Sequence, residues 1–157
     1  MRPIGHPRPT TILEATSRMY EDDPTAWAIA HHDDVRLVVP PSSAYLRTIR
    51  MVAADTALRG GLDCDEIEDF RIAVDELAHT LMATTDQEVT IVFRVSGYRV
   101  AARGATKARQ SSHRHVLDEL SEKILRSVAD FHSFDDDEDL ASFVVIKQHK
   151  PVMVRQG

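Results

Sequence analysis

The sequence predicts an α+β fold: a two-layer α/β sandwich with a mainly antiparallel mixed sheet and helices on one face. Three observations support this prediction. Apolar residues recur at helical spacing in three segments, β-branched residues are concentrated in five short runs, and these segments follow the order β-α-α-β-β-α-β-β. With 157 residues, the chain is long enough for one domain with a substantial core.

The composition excludes several classes of protein. The chain is 43% hydrophobic and 28% charged, values typical of a globular protein rather than a disordered or fibrous one. Its net charge of −6 repels a phosphate backbone, so we expect no direct binding of nucleic acid. Cys64 is the only cysteine, which excludes an intramolecular disulfide and fits the reducing cytoplasm. No apolar run reaches the roughly 18 residues of a membrane span, so we expect no membrane segment.

The chain is predicted to consist of an arm, a body and a tail. Residues 1–34 contain four prolines and show no clean period of 2 or 3.6, which indicates a mobile N-terminal arm. The body comprises residues 35–150, and residues 151–157 form a tail.

The body begins with a strand followed by a helix. Val35–Val39 is rich in β-branched residues and is stopped by prolines. Ser42 or Ser43 then caps a helix of about sixteen residues, which Gly60 and Gly61 end.

A second helix follows directly. Asp63 is followed three residues later by Glu66, which is the pattern of a capping box at a helix N-terminus. Apolar residues at helical spacing extend this helix to Thr84 or Thr85.

The remaining segments are a hairpin, a helix and two further strands. The runs Val89–Val95 and Tyr98–Ala102 flank Ser96-Gly97, so we expect an antiparallel hairpin. The segment 104–112 is polar and has little period, and a third amphipathic helix spans 116–125. Residues 128–134 and 142–148 are predicted strands on either side of an acidic turn at 135–139.

The second helix carries the motif on which a resemblance rests, Phe70-Arg71-Ile72-Ala73-Val74-Asp75-Glu76. Together with the order of elements, this motif resembles the anti-sigma factor serine kinases of the GHKL (histidine kinase-like, Bergerat-type) ATPase superfamily, in a divergent actinobacterial form. The resemblance covers residues 35–147. It implies the fold of that superfamily and a histidine kinase-like ATPase domain.

The resemblance also implies a site for ATP and Mg²⁺. Glu76 matches the family's catalytic acid, and the position of its magnesium-binding Asn, four residues later, is Thr80. Where the family has an adenine-reading Asp-x-Gly-x-Gly box, this chain has Arg103 and Gly104, and only the glycine is kept. The segment expected to cradle phosphates lacks glycine but contains hydroxyls such as that of Ser112. The resemblance therefore implies a nucleotide site that has lost most of its parts.

The partners implied by the resemblance are an alternative sigma factor and an anti-anti-sigma factor, and members of this family often form homodimers. Arg47 and Arg50 lie on the polar side of the first helix, where we expect them to contact a partner. The function expected is an anti-sigma factor that sequesters the sigma factor.

Three alternatives stay open at the level of sequence. In the first, the chain is an active ATP-dependent serine/threonine kinase that uses Glu76 as its base and phosphorylates an anti-anti-sigma factor. In the second, it is a sensor or structural module of the same fold without a sigma partner. Glu76 itself is equally well explained as an acid at the edge of the core, paired with an arginine.

Overall fold

The computed structural model describes residues 33–110 and 113–153, and this part contains five strands and three α-helices. The strands are β1 (Val35–Val39), β2 (Val89–Ser96), β3 (Arg99–Lys107), β4 (Phe131–Asp136) and β5 (Leu140–Gln148). The helices are α1 (Leu46–Arg59), α2 (Cys64–Ala83) and α3 (Glu119–Val128), and a short 3-10 turn at Ser43–Tyr45 precedes α1. The predicted α+β class and the order of elements are confirmed.

The chain divides into two units, residues 1–32 and residues 33–157. The first unit, and with it nearly all of the predicted arm 1–34, lies outside the described residues. The predicted tail is described as far as residue 153, without regular secondary structure. Within the described part of the chain, no helix combines the length and apolar character needed to cross a bilayer.

The sheet has the strand order β1-β2-β3-β5-β4, and every neighbouring pair of strands is antiparallel. The prediction of a mainly antiparallel sheet is confirmed, and the prediction that the sheet is mixed is wrong. The reason is the connectivity. β2–β3 and β4–β5 are hairpins, and β5 lies beside β3 in the opposite direction. The described part of the chain therefore contains no β-α-β crossover that would make two neighbouring strands parallel.

The core lies between one face of the sheet and the helices, as expected for a two-layer sandwich. Along each strand, alternate residues point to this face, and Phe93, Ala102 and Phe143 are completely or almost completely buried there. Phe70 and Leu81 of α2 belong to the same cluster. The helix α2 thus covers the middle of the sheet.

Several predicted boundaries are wrong; the strand predicted at 128–134, for example, begins at Phe131, because Val128 is still part of α3. β3 continues from Ala102 to Lys107 through a segment whose polar sequence predicted a loop. Thr106 is buried in this part of the strand, and its hydroxyl donates to the carbonyl of Glu88 at 2.9 Å, which satisfies a polar side chain inside the sheet. The helix α3 begins after Asp118, whose carboxylate accepts from the backbone N–H of Ser121 at 2.7 Å as a cap.

The first strand is fixed to the sheet by an ion pair as well as by its backbone. Arg94 of β2 donates two hydrogen bonds to the carboxylate of Asp34, at 2.8 and 2.7 Å; the side chain of Arg94 is buried and that of Asp34 is nearly so. A bidentate pair of this kind fixes the relative geometry of the two side chains. Asp34 is the last residue of the predicted arm.

The capping box at the start of α2 is confirmed. The carboxylate of Asp63 accepts from the backbone N–H of Glu66, and the carboxylate of Glu66 accepts from the backbone N–H of Asp63, both at 2.9 Å. The same Glu66 carboxylate lies 2.7 Å from Nδ1 of His149 and accepts from the backbone N–H of Lys150 at 2.7 Å. One side chain therefore joins the start of α2 to the segment after β5.

Burial by itself would raise the pKa of the Glu66 carboxyl. The hydrogen bonds from His149 and from the backbone N–H groups of Lys150 and Asp63 act in the opposite direction and hold that pKa below its ordinary value of 4.5.

Gly104 lies where β3 passes beneath α2. A Cβ built at this position would overlap the ring of Phe143 and would come within 2.8 Å of Cδ2 of Leu81. The absence of a side chain at this position therefore lets α2 and β5 pack closely over β3.

We predict that Gly104→Ala destabilises the protein by about 1–3 kcal/mol, because a methyl group overpacks this site. The free energy of unfolding, measured by urea titration, tests this. Phe143→Leu provides the room that the new methyl needs, so the double variant should be more stable than the sum of the two single effects predicts. Strictly additive effects would contradict the packing role of Gly104.

We predict that the stabilisation from Glu66 is present above pH 4.5 and disappears as the pH falls through the lower pKa of the folded state. A carboxyl whose pKa is lowered by folding binds its proton less readily in the folded than in the unfolded chain, so acid weakens the fold. The free energy of unfolding of Glu66→Gln should therefore lie below that of the unsubstituted protein at neutral pH and approach it in acid. Glu138→Gln, at an exposed turn, is the control and should change neither value.

Candidate functional site

Glu76 lies on the side of α2 that faces α3. Its carboxylate oxygen Oε2 accepts a hydrogen bond from Oγ of Ser121, the third residue of α3, at 3.1 Å. Ser121 is only 8% exposed, whereas Glu76 is half-buried, and its second oxygen accepts no hydrogen bond from residues 33–110 or 113–153. The acid that the motif singles out thus holds two helices together.

The sequence analysis did not identify Ser121, although the sequence contained a signal for it. Ser121 falls between Leu117 and Leu125 at intervals of four residues, which places it on the apolar stripe of α3. A hydroxyl on such a stripe needs a partner when it is buried. Glu76 supplies that partner from the neighbouring helix.

Thr80 lies one turn after Glu76, as the spacing predicted. Its hydroxyl donates to the backbone carbonyl of Glu76 at 3.0 Å, within the same helix. Its oxygen keeps lone pairs that a metal ion or a metal-bound water can use, but the fixed carbonyl of an Asn side chain is absent. Glu76 and Thr80 are the two candidate site residues that the structure brings together.

Arg103 lies on the opposite face of the sheet. In the register of β3 it pairs with Val92 and Val144, and its neighbour Gly104 points to the helices. Burial lowers the pKa of the Arg103 guanidinium. Arg103 is therefore separated by the sheet from Glu76 on α2.

Gly104 and Ser112 are the two remaining candidates for binding a nucleotide. Gly104 lies on the same face as α2, but the space above it is filled by Leu81 and Phe143, so its backbone is covered by side chains. Ser112 lies outside the described residues.

The candidate partner contacts differ from each other. Arg50 donates from Nη1 to the Asp75 carboxylate of α2 at 3.1 Å, so it ties α1 to α2. Arg47 is exposed and forms no ion pair within the part of the chain that the structure describes. Of the two arginines, Arg47 is the one that has no ion pair among the described residues.

Three potential metal ligands lie together at the start of α2. The donor atoms of Asp63, Glu66 and His149 are all within 4.8 Å of one another. The two carboxylates are already engaged by backbone N–H groups, and the N-terminal end of a helix carries partial positive charge. The arrangement is accounted for as the helix cap described above.

Two of the cavities that described residues line lie away from Glu76 and Thr80. One, of about 390 Å³, lies between the segment before α3 and the strand β4, and its walls include His115 and His132. The other, of about 210 Å³, lies between the start of α1 and the end of α2.

Comparison with known proteins assigns no family to this chain. No protein-family profile matches the chain, and no curated protein matches it.

The family that the motif on α2 resembles holds Mg²⁺ with an Asn where this chain has Thr80, and reads adenine with an acid that this chain lacks. We therefore predict that the protein binds Mg-ATP weakly or not at all. Calorimetric titration with Mg-ATP and Mg-ADP tests this. Glu76→Ala should behave as the unsubstituted protein does. Tight binding that is lost in Glu76→Ala would show that the site is intact and would contradict the prediction.

Proposed function

We propose that this protein is an anti-sigma regulatory factor with a GHKL-type fold and a degenerate nucleotide site. It sequesters an alternative sigma factor in the cytoplasm, keeps it from RNA polymerase, and releases it when an anti-anti-sigma factor binds. The element order, the antiparallel sheet covered by helices on one face, and the motif on α2 support the proposal. Fold alone does not fix function, so the proposal depends on the site.

The observation that carries the proposal is the engagement of Glu76. A general base must lie within hydrogen-bond reach of the group from which it takes a proton, and contacts to a neighbouring helix limit how its carboxylate can be oriented. Here one oxygen of Glu76 accepts from Ser121, and the hydroxyl of Thr80 donates to the backbone of its own helix. The candidate acid, Glu76, binds the neighbouring helix, and Thr80 stands where the family that the chain resembles has its magnesium-binding Asn. The protein therefore acts by binding a partner rather than by phosphoryl transfer.

The net charge of the protein is consistent with this role. A chain of net charge −6 attracts the basic helices of a sigma factor over long range. Such complementarity accelerates the encounter more than it tightens the final complex.

A second candidate function is that of an active serine/threonine kinase acting on an anti-anti-sigma factor. It is favoured by one feature, the half-buried state of Glu76, whose second carboxylate oxygen has no hydrogen-bond donor among the described residues. Phosphorylation of a partner serine would then act as the switch through added charge.

We predict that the protein forms a complex with an alternative sigma factor from its own genome in the absence of nucleotide. Biolayer interferometry against a panel of these sigma factors, with and without Mg-ATP, measures the complex. Because a ligand that does not bind cannot shift an equilibrium, Mg-ATP should change the affinity by less than about twofold.

The variant Glu76→Gln separates the two candidate functions, since its amide oxygen still accepts from Ser121 but cannot act as a base. Binding should be unchanged in this variant. Nucleotide-dependent binding, or phosphate transfer to an anti-anti-sigma factor that Glu76→Gln abolishes, would favour the kinase. Failure to bind any sigma factor would leave a sensor or structural module of the same fold.

A further inference from the structure

β1 forms one of the two edges of the sheet. It stands first in the strand order, so β2 is its only neighbour in the sheet. Apart from its pairing with β2, its backbone forms no hydrogen bond to any residue of 33–110 or 113–153. Along such an edge, alternate residues present N–H and C=O groups that can pair with an incoming strand. β1 therefore offers a template for a further strand.

The side chains of β1 make this edge apolar. Val35, Leu37 and Val39 lie opposite buried core residues of β2 and so face the helices. Val39 is buried, but Val35 and Leu37 are only partly buried, although both pack against the core. On the other face of the sheet Arg36 and Val38 are exposed, and Arg36 is the single charged residue of the strand. The core is therefore incompletely covered along β1.

The opposite edge of the sheet, formed by β4, is protected. Asp136 of β4 points inward, and its carboxylate accepts from the backbone N–H of His115 at 2.6 Å, so the segment before α3 is held against this strand. His132 points to the same side of β4, with Nε2 3.1 Å from the carboxylate of Glu122 on α3. Inward-pointing polar groups and a covering segment are common means of keeping an edge strand from pairing. Among the described residues, β1 has no comparable protection.

We propose that β1 pairs antiparallel with β1 of a second copy of this chain, so that the two sheets become one continuous sheet in an isologous dimer. The pairing is centred on Leu37, which lies opposite Leu37 of the second copy. Val35 then lies opposite Val39, and Arg36 lies opposite Val38. A two-fold axis perpendicular to the sheet keeps the helices of both copies on the same face. This inference does not depend on the proposed function.

The sequence of β1 is self-complementary in this register. Residues directly opposite each other in an antiparallel pair interact, and like charges at such positions are unfavourable. Here Arg36 meets an apolar side chain, and the partly exposed Leu37 of each copy is covered by that of the other. A shift by two residues in one direction would set Arg36 against Arg36, and a shift in the other would bring Pro40, which has no N–H, into the ladder. The centred register is therefore the favourable one.

The first experiment measures the mass of the full chain in solution by analytical ultracentrifugation. The concentration runs over about 1–200 µM at neutral pH, because small interfaces give weak association. We expect a monomer–dimer equilibrium or a stable dimer. A chain that stays monomeric at the highest concentration would overturn the inference and would leave the edge of β1 to a strand from another protein.

Variants at Val38 then locate the contact, because this side chain is 49% exposed and can be replaced without disturbing the core. Val38→Lys sets a lysine against Arg36 of the second copy twice in each dimer, whereas Val38→Glu sets an acid there. We expect Val38→Lys to raise the Kd of the dimer by about threefold or more and Val38→Glu to lower it by a similar factor. The double variant Arg36→Glu, Val38→Lys exchanges the charges and should dimerise more tightly than Val38→Lys does. Failure of this rescue would contradict the proposed register.

The matched controls are Ser133→Lys and Ser133→Glu, at an exposed position of β4 on the opposite edge of the sheet. They change the net charge by the same amounts as the variants at Val38, so they measure the effect of overall repulsion between two acidic chains. We expect the controls to change the Kd of the dimer by less than about twofold. Equal responses at the two positions would show that the copies do not meet at β1 and would overturn the inference. Circular dichroism confirms that each variant is folded.

Discussion

The burial of α2 against the middle of the sheet is the constraint on which the remainder of the structure depends. Leu77 and Leu81 of this helix are fully buried, and Leu81 reaches the backbone of β3 because Gly104 has no side chain. Phe143 of β5 fills the adjoining space. Once α2 is fixed in this way, α1 and α3 can only pack on either side of it.

Four acids of α2 have a partner on a neighbouring segment of the chain. Glu66 binds the segment after β5, Asp69 binds Lys147 of β5, Asp75 binds Arg50 of α1, and Glu76 binds Ser121 of α3. Lys147 also donates to the carbonyl of Val128 at 2.9 Å, which caps the C-terminal end of α3. The Arg50–Asp75 pair is partly exposed and contributes about 0–1 kcal/mol, so it orients α1 against α2 more than it stabilises the fold.

This arrangement changes how the motif on α2 is understood. In a kinase the acid on this helix must face a substrate, whereas here Asp75 and Glu76 point to the helices on either side. The outer side of α1, where Arg47, Met51 and Leu58 are exposed, takes no part in these contacts.

The sequence by itself determined what depends on local patterns. The capping box of Asp63 and Glu66, the hairpin around Gly97 and the order of helices and strands follow from turn chemistry and periodicity, which act over a few residues. Only the tertiary structure decided the continuation of β3 through Gly104, the pairing of β5 with β3, and the hydrogen bond between Glu76 and Ser121. The hydrogen bond between Glu76 and Ser121 joins residues that are 45 positions apart, and β3 and β5 are separated in sequence by α3 and β4. No local pattern encodes which distant side chain will satisfy a buried polar group or fill the space above a glycine.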